Sequence, residues 1–282
     1  MAEYKAIRGH TIRTIAGDAS PLVTGDIWYN NVAKKIRGAK LGAGAWASGG
    51  NINTTRDHLA GAGTQTASLV FGGRSQPGTP GDLGETESYD GSSWTEVADI
   101  TGGHNNAGLG TQTAALTTGR ANTAVTEIFD GSSWTEVGDL TSARGGGRGA
   151  GTTTAGLLMG GASPAVTAKT ELYNGTSWTE VADLNTARGN AAGYGTSTAG
   201  HFVSGNAPPS TTVNTETYNG TAWTEVANVN TAHYGLSGSG STTAGIKFAG
   251  DTTPSKSGVT EEFDGSSWTE VADLNTARGI CA

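Results

Sequence analysis

The phrase Trp-Thr-Glu-Val occurs five times, at 94–97, 134–137, 178–181, 223–226 and 268–271. Each copy follows a short turn that opens with an acid or amide and a glycine: Asp90-Gly91, Asp130-Gly131, Asn174-Gly175, Asn219-Gly220 and Asp264-Gly265. Self-similarity at a period near 45 residues marks a repeat architecture, in which each unit buries its apolar faces against its neighbours. Most of such a chain is scaffold, so a functional signal is expected where the copies differ.

Each unit reads as four short strands, a to d. Strand a is Gly-rich and runs into Gly-Thr-Gln-Thr-Ala (63–67, 110–114) or a relative of it. Strand b is apolar and ends at Gly72, Gly119, Gly160, Gly205 or Gly250. A variable loop leads to strand c, Thr-Glu-x-Tyr/Phe, and the Asp-Gly or Asn-Gly turn supplies the positive φ a tight hairpin needs before strand d. A sixth unit is divided between the ends. Thr11 to Gly17 resembles a strand b, Ala19 to Asn30 a loop and strand c, and Trp46 opens a strand d. Asn53-Thr54-Thr55-Arg56 then keeps the register, and Arg278 to Ala282 begins a strand a. Pairing the two ends would close a ring and remove open sheet edges. The expected fold is all-β, a six-bladed β-propeller over 11–282 with one blade shared between the termini, preceded by an arm or anchor at 1–10.

Composition narrows the function. A formal charge of −8 without a Lys/Arg-dense block argues against a nucleic-acid surface. Cys281 is the only cysteine, so no internal disulfide forms, and the five histidines are scattered singly with no metal-ligand spacing. No cofactor is implied. The first ten residues lack the apolar core of a signal peptide, and no stretch approaches a membrane span, which points to synthesis in a cytoplasm without membrane insertion.

Glycine after strand b, Glu-x-Tyr on strand c, Trp on strand d and Arg opening the next strand a together resemble the kelch β-propeller. The pattern departs from kelch in having true Gly-Gly pairs only at 72–73 and 160–161, and a shorter Tyr-to-Trp spacing. A second resemblance rests on Met1-Ala-Glu-Tyr-Lys-Ala-Ile-Arg-Gly9, Gly25-Asp-Ile-Trp-Tyr-Asn30 and Leu59-Ala-Gly-Ala-Gly-Thr-Gln-Thr-Ala67. These look like virion proteins of marine tailed phages, including cyanophages, whose kelch-like repeats are often called tail-fibre repeats. That resemblance implies a non-enzymatic structural protein on a virion, released by lysis. Its partners would be other virion proteins and a host surface glycan or receptor. The alternatives are a decoration protein that binds only virion proteins, an intracellular kelch adaptor, and a glycan-active enzyme.

In a four-stranded blade the a–b and c–d turns share one face, which here is nearly monotonous. The b–c loops and d–a links share the other, where the copies differ, and loops on a rigid scaffold are where recognition usually sits. The loops carry Arg74, Arg120 and Lys256. The links open strand a with Arg56, His104, Arg144, Arg188, His233 and Arg278, a ring of donors near the expected channel. Functionally such a ring would hold an anionic sugar or carboxylate. Structurally, each Arg would pair with the acid five residues earlier, as Asp139 with Arg144, Asp183 with Arg188 and Asp273 with Arg278. The carboxylates Glu87, Glu127, Glu171, Glu216 and Glu261 recur at one strand-c position, which suggests a bond to a neighbouring blade. Catalysis needs one asymmetric constellation, and no such pair stands out. No residue is assigned as catalytic or as a metal ligand.

Overall fold

The computed structural model describes residues 13–15, 27–30, 35–38, 45–75, 81–120, 123–252 and 255–279. The chain divides into Met1–Ala45 and Trp46–Ala282. The expected arm at 1–10 lies outside the described residues.

Trp46–Ala282 is a β-propeller arrangement of five four-stranded antiparallel sheets, each a meander in the order a-b-c-d. Blade 1 comprises Ala60–Thr64, Ala67–Phe71, Thr86–Tyr89 and Trp94–Val97. Blade 2 comprises Ala107–Thr111, Ala114–Thr118, Thr126–Phe129 and Trp134–Glu136. Blade 3 comprises Arg148–Thr152, Ala155–Gly161, Thr167–Tyr173 and Trp178–Glu180. Blade 4 comprises Ala192–Thr196, Ala199–Val203, Thr215–Tyr218 and Trp223–Val226. Blade 5 comprises Ser237–Ser241, Ala244–Phe248, Thr260–Phe263 and Trp268–Glu270.

The core lies between blades. Leu109 and Leu116 of blade 2 pack with Leu158, Tyr173 and Trp178 of blade 3, and similar clusters join blades 1 and 2, 3 and 4, and 4 and 5. Strand b is covered on both faces by neighbouring blades, so Ala155–Gly161 is buried over six consecutive residues instead of alternating. The a strands approach so closely that a Cβ on Gly108 would lie 2.6 Å from the Gly61 carbonyl oxygen. Gly149 meets the Gly108 carbonyl oxygen in the same way at 2.7 Å, so these strand-a positions require glycine.

A belt of backbone hydrogen bonds ties the links together. Asn105 N–H donates to His58 (3.1 Å), Gly146 to Asn105 (2.9 Å), Asn190 to Gly146 (2.8 Å) and Gly235 to Asn190 (2.7 Å). All five residues take positive φ, between 51° and 72°. Neighbouring a strands from blade 1 through blade 5 lie side by side, but Ser237–Ser241 and Ala60–Thr64 do not. The blade 5 to blade 1 junction is therefore a seam.

The structure corrects the blade count: the described residues form five blades, not six. Arg13–Ile15, Ile27–Asn30 and Lys35–Gly38 make their own three-stranded sheet, in which the first pair is parallel. A blade needs antiparallel neighbours throughout, so the expected b and c strands of a shared blade do not pair as such. Trp46 lies in no strand, and 280–282, needed for the closing strand a, lie outside the described residues.

Trp46 nevertheless makes the contacts of a strand-d tryptophan. Its indole N–H donates to Thr260 Oγ1 at 3.2 Å, as Trp178 does to Thr126 and Trp223 to Thr170, both at 3.1 Å. Its ring meets Phe248 edge-on at 4.9 Å, as Trp134 meets Phe71 at 5.0 Å. Its carbonyl accepts from Asn275 Nδ2 at 3.1 Å, the bond that Asn53, Asn185 and Asn230 make to Trp94, Trp223 and Trp268.

Candidate functional site

The recurrent strand-c glutamates sit at the centre of a repeated polar unit. Glu87, Glu127, Glu171, Glu216 and Glu261 are all buried. Each accepts backbone N–H groups from the preceding d–a link: Asn53 and Thr54, Thr101, Thr141, Asn185 and Thr186, and Asn230 and Thr231. Each also holds a cation. Arg56 meets Glu87 at 2.8 Å, Arg120 meets Glu127 at 3.4 Å, Lys247 meets Glu261 at 2.7 Å, and Arg144 and Arg188 bind Glu171 and Glu216. A buried carboxylate needs such pairing, because isolated charge is costly in a low-dielectric interior.

The cation is thus supplied from three places. In blades 1, 3 and 4 it comes from the link, in blade 2 from Arg120 just after strand b, and in blade 5 from Lys247 within strand b. Blade 2 explains the substitution. Its link is one residue shorter, so Gly103 takes the arginine position, and a Cβ there would strike the Arg120 side chain at 2.5 Å. His104 is displaced by one residue and pairs instead with Asp82 at 2.5 Å. In blade 5 the link position holds His233, fully buried, with Nδ1 3.1 Å from Lys247 Nζ. Burial first, and then the Lys247 charge, push its pKa down to about 4.

The expected pairing of each Arg with the acid five residues earlier is corrected. Asp139, Asp183 and Asp273 accept the backbone N–H of Thr126, Thr170 and Thr260 at 3.2, 3.4 and 3.2 Å, and Asp99 does the same for Thr86 at 3.0 Å. The c–d hairpin brings these acids beside the start of strand c, where they satisfy an amide at the strand end.

The nine cations singled out from sequence fall into three groups. Arg120, Arg144, Arg188 and His233 are engaged inside blades. Arg56, exposed Lys256 and exposed Arg278 line one cavity of about 640 Å³ at the seam, together with Trp46, Phe248 and Leu274. Arg74 and His104 belong to a polar cluster on the b–c/d–a face. There His58 Nδ1 is 2.7 Å from Asp57 Oδ1 and 3.0 Å from Arg74 Nη2. Arg74 Nε lies 3.5 Å from Asp57, and the His58 and His104 rings meet edge-on at 6.2 Å. Burial holds His58 below its ordinary pKa, opposed by its bond to Asp57. This cluster is asymmetric and half-exposed, with donors and acceptors on one surface. It offers hydrogen bonds and charge to a ligand. Among the described residues no group of His, Cys, Asp or Glu is arranged to hold a metal ion.

Sequence reasoning missed Asp57, His58 and Asp82, whose signal was present only as departures from the repeat. It also missed Arg148 in the central channel. The equivalent strand-a positions hold Ala60, Ala107, Ala192 and Ser237, so comparing the copies column by column would have found it. No protein-family model and no curated protein matches this chain.

Proposed function

We propose that this is a non-enzymatic propeller displayed on a phage virion, as a tail fibre or surface appendage, which attaches to a host surface glycan or receptor through its b–c/d–a face. The observation that carries this reading is the contrast between the two faces. On one, Asp90, Asp130, Asn174, Asn219 and Asp264 repeat the same exposed turn, each carboxyl or amide oxygen accepting two backbone N–H groups at 2.8–2.9 Å. On the other, blades 1 and 2 gather the unrepeated cluster of Asp57, His58, Arg74, Asp82 and His104. The recurrent carboxylates are consumed by backbone amides and cations, which leaves them no role as a catalytic pair.

Immunogold electron microscopy on native lysate tests the location. Label at fibre or tail tips is expected. Label spread over capsids would replace the reading with a decoration protein, and unlabelled particles would overturn a virion role. Arg74→Ala is expected to cut attachment of the purified protein to host cells at least tenfold, with melting unchanged. Undiminished attachment would move the site off this cluster.

The finer architecture we infer is kelch-like. Its support is that in each of the five blades the strand-c aromatic stacks on its own Trp at 4.9–5.2 Å, as Tyr89 on Trp94.

A further inference from the structure

The polar cluster on the loop face is built on a backbone row. Asp57 stands directly opposite Arg74 in the short antiparallel pair of Arg56–Asp57 with Arg74–Ser75, and Arg74 stands opposite Asp82 in an isolated antiparallel bridge. Directly opposed residues carry their side chains on the same face, and neighbouring strands lie about 4.8 Å apart. The arginine is therefore flanked by an acid on each side. A histidine caps each acid: His58 Nδ1 is 2.7 Å from Asp57 Oδ1, and His104 Nδ1 is 2.5 Å from Asp82 Oδ1.

The chemistry of these groups fixes their roles. His58 donates Nδ1–H to Asp57, so Nε2 is the nitrogen left to accept from Arg74 Nη2, at 3.3 Å. That is the neutral imidazole, and burial favours the same form. Two carboxylates and one guanidinium then leave the row with a net negative charge. Both acids bond through Oδ1, and among the described residues their Oδ2 atoms have no partner. The side chains of Asp57, Arg74 and Asp82 are 32%, 30% and 48% exposed, so acceptor, donor and acceptor alternate along an accessible surface.

An acidic ligand is a poor match for this row. Its carboxylate would have to displace Asp57 from Arg74 while lying beside two fixed negative charges, on a chain that carries −8 overall. A cationic ligand would gain from the acids but meet the guanidinium between them. A sugar hydroxyl suits all three groups, because it donates to a carboxylate oxygen and accepts from a guanidinium N–H.

We propose that the Asp57–Arg74–Asp82 row selects uncharged, hydroxyl-rich glycans and rejects acidic ones. The selectivity rests on the attachment reading of this face and names its ligand class. The two carboxylates accept from sugar hydroxyls, Arg74 donates to the oxygen between them, and His58 and His104 hold the acids in place.

A glycan array carrying neutral, amino and acidic saccharides, probed with the native chain, Arg74→Ala and Asp82→Asn, tests this. Asp82 is exposed and makes one side-chain bond, so Asp82→Asn should keep the fold, which a melting curve checks. Neutral saccharides are expected to bind at least tenfold more tightly than acidic ones. Each variant should lose about tenfold or more of that binding, the usual effect of removing a hydrogen bond to a charged group. Acidic or amino saccharides bound as well as neutral ones would overturn the selectivity. A blank array, or native-like binding by both variants, would overturn the row as a glycan site. Attachment to host cells is read separately. Attachment that needs Arg74 while the array stays blank would keep the loop face as a receptor site without a glycan. Array binding without cell attachment would sink the attachment reading and leave the glycan selectivity standing.

Discussion

Arg188→Ala is expected to lower the unfolding free energy by about 3–5 kcal/mol, the usual consequence of leaving one partner of a buried ion pair alone. Arg188 is fully buried. It donates to Thr186 O at 3.2 Å and Phe202 O at 3.0 Å, binds Glu216, and lies over the Phe202 ring at 5.0 Å. Desolvation pulls its pKa below the ordinary arginine value, and Glu216 opposes that shift. The guanidinium stays charged through its pairing. Truncation would strand Glu216, whose remaining partners are the Asn185 and Thr186 amide groups. At 2–4 °C per kcal/mol for a domain of this size, the melting temperature should fall by roughly 6–20 °C. Exposed Arg278→Ala, at the corresponding position after blade 5, should change stability by no more than about 0.5 kcal/mol. Equal effects of the two substitutions, read from thermal or urea melts, would mean that the Arg–Glu pair does not organise the blade.

Acid is expected to destabilise the fold through His201, and His201→Leu to remove that part of the response. His201 is fully buried in strand b of blade 4, against Tyr194 of its own blade and Phe263 and Trp268 of blade 5. Among the described residues both ring nitrogens lack hydrogen-bond partners; the Ser241 backbone is near enough to oppose the shift but makes no well-formed bond. Burial pushes the pKa down to about 4. The sign follows directly. With a folded pKa near 4 and an unfolded one near 6.5, the unfolded chain binds the extra proton as pH falls. Stability is fully present above pH 6.5 and declines down to about pH 4. At pH 5 this one imidazole should cost about 2 kcal/mol relative to pH 8. His233, also held near pKa 4, adds a loss of the same sign. The other blades carry Leu69, Leu116, Leu157 and Ile246 at the His201 position, so leucine fits the site. Urea melts of the native chain and His201→Leu at pH 5 and pH 8 check this. An unchanged pH dependence in the variant would remove His201 as its cause.

Much of the propeller is legible in the residues because its signals are local. The Asp-Gly and Asn-Gly pairs, the apolar strand b and the Trp of strand d all act within a few residues, and all twenty strands of blades 1–5 fall on their predicted phrases. Register is the weaker part. Gly205 and Gly250 end strand b one residue later than Gly72, Gly119 and Gly160 do. Ser204 and Ala249 hold the left-handed position, at φ 60° and 61°, that glycine holds elsewhere. His104 was aligned with the arginines, although the shorter link of blade 2 gives their place to Gly103.

The sequence by itself determined the repeat unit, its four strands and its turns, because hairpin turns and the short apolar runs they bound are set by neighbours in the chain. It could not determine which groups meet across the ring. Arg144 and Glu171 are far apart in the chain and come together only when strand c folds back beside the link. The same carboxylate is served by Arg120 in blade 2 and Lys247 in blade 5, which no fixed spacing predicts. The seam and the burial of His201 were likewise decided by tertiary packing. Each depends on how closely one blade approaches the next, and that distance is set by side chains from both.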